Sequence, residues 1–201
     1  FPPVGDQGYL GSCAAFATTY YTMTHMVALA RDIDVKNGGY ATRYSPKWTY
    51  NIINHGVDGG SSPLAAYQVM MDHGCATWQD FPYDGSDYRS WCLDPAIWRK
   101  AINVRMNQVG SVTDLGTPTG QTNLKTLLAN GYILNVIVGI TNFQSTTIKA
   151  KPGSTDNDAY IGEVACRYSR VGYDHEMTVV GYNDKLWIDV NLNTAVDPGE
   201  N

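Results

Sequence analysis

The sequence predicts an α+β chain with segregated halves. Three observations carry this: capped, helix-patterned stretches gather in the first half, β-branched runs gather in the second, and strand and helix do not alternate along the chain. Residues 12–31 run through an Ala/Thr/Tyr/Met series to Arg31, with Ser12 placed as the N-cap. A short helix is expected from Ser45-Pro46, where proline suits a first turn. A third runs from Ser62-Pro63 to His73, with Gly74 where a C-cap glycine belongs. In the second half "YILNVIVGI" (132–140) is a β-branched run, and 175–184 and 185–190 read as strand, turn and strand. Turns rich in Gly, Pro, Asp and Thr separate these runs. Two lobes of different character imply a cleft between them, the helical one over about 1–100 and the β one over 101–201.

Composition narrows the function. The chain has 201 residues, 43% hydrophobic, enough for one sizeable core or two modest lobes. Only 16% of residues are charged, which favours a secreted or extracellular protein. A net charge of −5 without a Lys/Arg run removes the electrostatic footing for nucleic-acid binding. No run of about 18 apolar residues offers a membrane-spanning helix. The chain opens on Phe1-Pro2-Pro3 rather than Met, as a processed or trimmed product would. Its four cysteines, Cys13, Cys75, Cys92 and Cys166, are widely spaced and contain no CxxC pair, which argues against zinc. If Cys13 is a free thiol, at most one disulfide forms among the other three, and the sequence does not choose the pair.

"VGDQGYLGSCAAFAT" (4–18) carries the chemistry. Cys13 opens the 12–31 helix, where the dipole and unpaired N–H groups favour an anion and hence thiolate, the reactive species. Gly11 and Ser12 keep the backbone slim beside the sulfur. Gln7, six residues upstream, brings an amide donor that can face a developing oxyanion together with the Cys13 N–H. The alternative is that Cys13 is a small apolar residue at a helix start. A thiolate nucleophile needs a base. His25 lies three turns along the same helix, His55 in a Gly-rich loop, and His73 at a helix end; each suits a surface or capping role. His175 starts a strand on the far half of the chain, where a base facing the sulfur across a cleft would stand.

Together these residues resemble the papain-like cysteine peptidases. "DQGYLGSCAAF" is similar to that family's cysteine block with the six-residue Gln-to-Cys step intact. Residues 58–85 resemble its Gly-Gly, helix and Tyr-Pro-Tyr segment, here Phe81-Pro82-Tyr83, and "YDHEMTVVGYND" its histidine strand. "NLKTLLANGYILNVIVGI" resembles the helix and strand before it. The resemblance implies a single domain of two lobes, helical and antiparallel β, with the active site in the cleft. It implies Cys13 as nucleophile, His175 as general base and acid, and Gln7 as oxyanion donor, with no cofactor required for catalysis. It further implies that Gly59 and Gly60 form the edge that binds extended substrate, with Asp174 beside the histidine and Pro63 and Leu64 near a side-chain pocket. For Gly59-Gly60 the alternative is a plain turn, and for Pro63 and Leu64 helix start and core packing. The implied partner is a peptide or protein substrate, and the chain is expected to be a monomer.

Three positions depart from the family. Ala14 replaces a usual tryptophan, Leu10 replaces a disulfide cysteine, and no Asn-Ser-Trp motif follows the histidine strand. Instead the chain ends "DVNLNTAVDPGEN" (189–201). Asp189, Asn191, Asn193, Asp197 and Glu200 hold positions 1, 3, 5, 9 and 12 of a calcium loop, and Ala195 would give a carbonyl at position 7. Thr194, however, stands where glycine permits the sharp turn, and an Asn/Asp-rich hairpin is the alternative. The expectation is that this loop is an insertion and that the orienting asparagine follows residue 201. The other candidate is Asn191, sixteen residues after His175. Against the peptidase stand two other classes: a non-catalytic papain-like binding module, which Ala14 and the missing motif favour, and a Cys/His acyl-transfer enzyme of transglutaminase type.

Overall fold

A computed structural model of the chain describes residues 1–141, 143–153, 159–168 and 172–200. The chain divides into two compact units, Phe1–Val136 with Glu176–Val180, and Ile137–His175 with Gly181–Asn201. The sequence draws the division near residue 100; the contacts draw it at Val136.

The first unit is built on helices. The long helix α1 is α-helical over Cys13–Ala15, π-helical over Phe16–Met23 and α-helical again over Thr24–Arg31. Threonine hydroxyls accompany the widening: Thr18 Oγ1 donates to Ala14 O at 2.7 Å and Thr22 Oγ1 to Ala17 O at 2.9 Å. The second bond reaches five residues back, which matches the π turn. Helices α2 (Pro46–Ile53), α3 (Pro63–Asp72), α4 (Pro95–Ala101) and α5 (Pro118–Ala129) each begin on a proline, where the missing N–H costs nothing. The side chains of Asp94 and Thr117 cap α4 and α5 by accepting the Ala96 and Gly120 amides.

The core of this unit lies where α1, α2 and α3 meet. Met23, Tyr44, Met70 and Cys75 form one buried cluster; Trp48, Val69, Ala76 and Ala101 form a second. Gly74 ends α3 with φ +70°, and a Cβ there would lie 1.9 Å from Ala101 O. Only glycine fits both the left-handed backbone and that approach.

Strands β1 (Leu134–Val138) and β4 (His175–Val179) pair with each other. The second unit holds a three-stranded sheet in which β2 (Gln144–Ala150) lies between β3 (Val164–Tyr168) and β5 (Leu186–Ile188), antiparallel to both. Ile148 faces Ile188 across the ladder, and buried Trp187 donates its Nε1–H to Ala150 O at 2.8 Å.

The α+β segregation and the three early helices stand as expected. The predicted strand runs are shorter than drawn, and β4 and β5 pair with β1 and β2 rather than with each other. Helix α4 and strands β2 and β3 went unread in the sequence.

Candidate active site

Cys13 is the first residue of α1. It is partly exposed, while Ser12 and Ala14 on either side are buried at 0% and 1% exposure. The backbone thus presents the thiol and hides its neighbours. Ser12 is not the side-chain cap its type suggests: no cap hydrogen bond forms. The Tyr83 hydroxyl donates to Gln7 O at 2.7 Å and lies 2.8 Å from Ser12 Oγ, so the serine must donate to the tyrosine. One phenol therefore ties both ends of the 7–12 loop. Tyr83 is itself fixed edge-to-face on Phe16, with ring centroids 4.9 Å apart.

Gln7 is partly exposed and its Nε2 donates to Leu10 O at 3.0 Å. A primary amide has two N–H donors, so one remains for an incoming oxygen. Leu10, where the resembled family has a disulfide cysteine, is 5% exposed and packs with Ala15 and Tyr50. Apolar burial does there what a bridge would do. All four cysteines are free thiols, and burial pushes the Cys75 thiol well above its ordinary range.

The Gly59-Gly60 segment comes to the same place. The Asp58 carboxylate accepts from the Gly11 amide at 2.8 Å and from the Tyr50 hydroxyl through the same oxygen. A Cβ on Gly11 would meet Gly60 N at 2.7 Å. The approach to the cysteine and the glycine pair are thus in direct backbone contact, and Gly60 has φ +86°. Leu64, for which core packing is one of the sequence readings, is instead 75% exposed, because it lies on the outer face at the start of α3. Burial of Tyr50, with Asp58 beside it, drives its phenol far above the usual range.

In the second unit, His175 begins β4 and is partly exposed. Asp174 before it accepts from the Ile140 amide at 2.8 Å and the Thr141 hydroxyl at 2.9 Å. Those bonds hold its carboxyl below the ordinary range and pin the approach to the histidine. The other histidines serve structure. His25 Nε2 contacts Gly131 O at 2.9 Å, His55 takes φ 55° in its loop, and His73 caps α3 and stacks edge-on against Trp98.

The 189–200 segment closes on itself. Asp189 accepts from the Asn193 and Thr194 amides at 3.1 and 3.0 Å, and Glu200 from the Val190 and Asp197 amides at 2.8 and 3.0 Å. Thr194 adopts φ 65°, so the turn that normally takes glycine forms on a β-branched residue. Asn191 and Asn193 both donate to Asp197 Oδ2 at 2.7 Å, and Lys149 Nζ sits 3.2 Å from Asp189 Oδ2. Ala195 is exposed, with its amide bonded to Asn193 Oδ1 at 2.8 Å. Among the described residues no three acidic, histidine or cysteine groups converge as a metal cage. Asn191 is engaged within this loop through both ends of its amide, which leaves it poorly suited to orienting an imidazole.

Two solved structures share this fold. A cysteine protease of Carica candamarcensis, solved in complex with E-64, superposes with a TM-score of 0.56 at 19% identity, covering 90% of this chain and 71% of its own. Xylellain, a cysteine protease from Xylella fastidiosa, gives 0.58 at 18% identity, covering 92% and 68%. No protein-family model and no curated protein matches the sequence. The chain thus has the papain-like fold, with a helical unit followed by an antiparallel sheet.

Proposed function

We propose that the chain is a cysteine endopeptidase in which Cys13 attacks the peptide carbonyl, His175 moves the protons and Gln7 stabilises the oxyanion. The observation that supports this most is the partly exposed thiol at the first residue of α1, at the end of a loop whose two ends, Gln7 and Ser12, are tied by one phenol. In this mechanism the thiolate forms a C–S bond to the carbonyl carbon. The oxygen takes the charge between the Gln7 amide and the Cys13 N–H, which as a first-turn group has no intrahelical acceptor. His175 gives its proton to the leaving amine, then takes one from the water that releases the acyl group. Extended substrate would lie along Gly59 and Gly60. Secretion suits the low charge content and is part of the same proposal.

The test is hydrolysis of an unstructured protein substrate by the wild-type chain, Cys13→Ala and His175→Ala. The expected result is cleavage by the wild type and loss of at least about a thousandfold in either variant. Cleavage that survives Cys13→Ala would end the proposal. Amine incorporation in place of hydrolysis would favour the transglutaminase-type alternative.

We also propose that Asp189, Asn191, Asn193, Asp197, Glu200 and the Ala195 carbonyl take Ca2+ as a structural ion, with Lys149 leaving Asp189 as it binds. Supporting this are the oxygen spacing and the left-handed turn at Thr194. Thermal melts at about 2 mM CaCl2 and in EDTA decide it, since that concentration is about a thousandfold above a micromolar Kd. A rise in Tm of several degrees with calcium is expected; superimposed melts would remove the ion from the account.

A further inference from the structure

Glu176 is a buried acid that the peptidase mechanism does not use. It follows His175 on β4 and is 6% exposed, and neither carboxyl oxygen has a hydrogen-bond partner. Buried polar groups are nearly always paired, so this one needs a reason.

The group that feels its charge is Tyr67 on α3, which belongs to a network of hydroxyls and amides and accepts from Asn135 Nδ2 at 2.7 Å. Asn135 Oδ1 accepts from Thr178 Oγ1 on β4 at 3.2 Å and lies 3.2 Å from Thr22 Oγ1 on α1, whose proton is given to Ala17 O. Tyr67 is a phenol that burial pushes up to about 12, and burial is the one cause that moves the Glu176 carboxyl. Among the described residues no positive charge is paired with the acid. An unpaired carboxylate is not tolerated in such a place, whereas a neutral carboxyl is.

We propose that Glu176 is a positioning residue that must stay protonated: as a neutral acid it seats the strand that presents His175, and its ionisation unseats that strand. Burial alone raises its carboxyl to about 8, which puts the transition at mildly alkaline pH. The direction of the linkage follows. The native carboxyl keeps a proton that the unfolded chain loses near its ordinary 4.5. Its favourable contribution is therefore whole below pH 4.5, declines as pH rises, and is gone above about 8.

The role toward His175 rests on the peptidase proposal; the charge state of the carboxyl does not. The experiment therefore has two readouts, on the wild type and Glu176→Gln, which mimics the neutral acid. The first is Tm from pH 4 to 10, with 13C NMR of glutamate carboxyls in the wild type as the measurement that survives if the variant misfolds. Expected are one carboxyl titrating near pH 8 and a wild-type Tm that falls relative to the variant between pH 4.5 and 8, then runs parallel. The second is kcat/KM against pH. At one unit above the transition only about a tenth of the acid is protonated, so the variant should exceed the wild type about tenfold at pH 9.

Every glutamate titrating below pH 6, or parallel Tm profiles throughout, overturns the proposal. So does an alkaline limb of kcat/KM that the variant leaves unmoved, because a role confined to packing would change amplitude and not pH. If neither protein cleaves peptide, the peptidase proposal has failed, and the NMR and Tm profiles alone decide whether Glu176 is a neutral anchor.

Discussion

The most economical device in the molecule is the Tyr83 hydroxyl. It donates to Gln7 O and receives from Ser12 Oγ, and so sets the spacing between the proposed oxyanion donor and the residue before the nucleophile. Removing Gln7 and removing its support should therefore differ in kind. Gln7→Ala should lower kcat by about 10²–10³ with little change in Tm, as loss of one oxyanion donor does. Tyr83→Phe loses two hydrogen bonds of about 1 kcal/mol each and should lower Tm by several degrees, with a smaller loss of kcat. Steady-state kinetics beside thermal melts separates the two; equal falls in kcat with unchanged Tm would deny Tyr83 its structural share. Leu10 shows the same economy, since a buried side chain packed on Tyr50 stands where a bridge is expected.

At the scale of elements, what was legible in the sequence was what local chemistry determines. Cys13 at a helix start, the proline starts of α2 and α3 and the glycine after α3 all appear where their residue types placed them. Helix α4 was missed although Asp94-Pro95 is a cap followed by a first-turn proline; it is only Pro95–Ala101 and ends without a glycine. Strands β2 and β3, "QSTTIKA" and "VACRY", alternate weakly and are fixed by pairing with each other and with β5, which no local pattern records. The Ser12 cap failed for a tertiary reason, because Tyr83 arrives from 71 residues away to take its hydroxyl. The π-helical turns of α1 and the orphaned Glu176 carried no sequence signal at all. The helix end at Gly74 gives the sharpest test at this scale. Gly74→Ala adds a Cβ 1.9 Å from Ala101 O at φ +70°. Left-handed strain alone costs about 1–2 kcal/mol and the clash adds to it, so the variant should melt well below the wild type; an unchanged Tm would mean that α3 and α4 are not packed as described.

For the whole molecule, the proposed nucleophile and oxyanion donor come from the helical unit, while the proposed base, His175, belongs to the second unit and opens β4. The proposed activity draws on residues of both units, so it should be lost when either one unfolds. Exposure and reactivity make opposite forecasts for the cysteines, and that contrast tests the central claim. Cys166 is exposed, Cys13 only partly so, and Cys75 is buried. The measurement is limiting iodoacetamide labelling at pH 6 with peptide mapping of all four thiols, on the wild type and His175→Ala. If Cys13 is an activated nucleophile working with His175, it is labelled first, by about tenfold or more over Cys166, and His175→Ala erases the preference. If labelling follows exposure, with Cys166 first and both proteins alike, Cys13 is an ordinary thiol at a helix start and the fold serves something other than peptide hydrolysis.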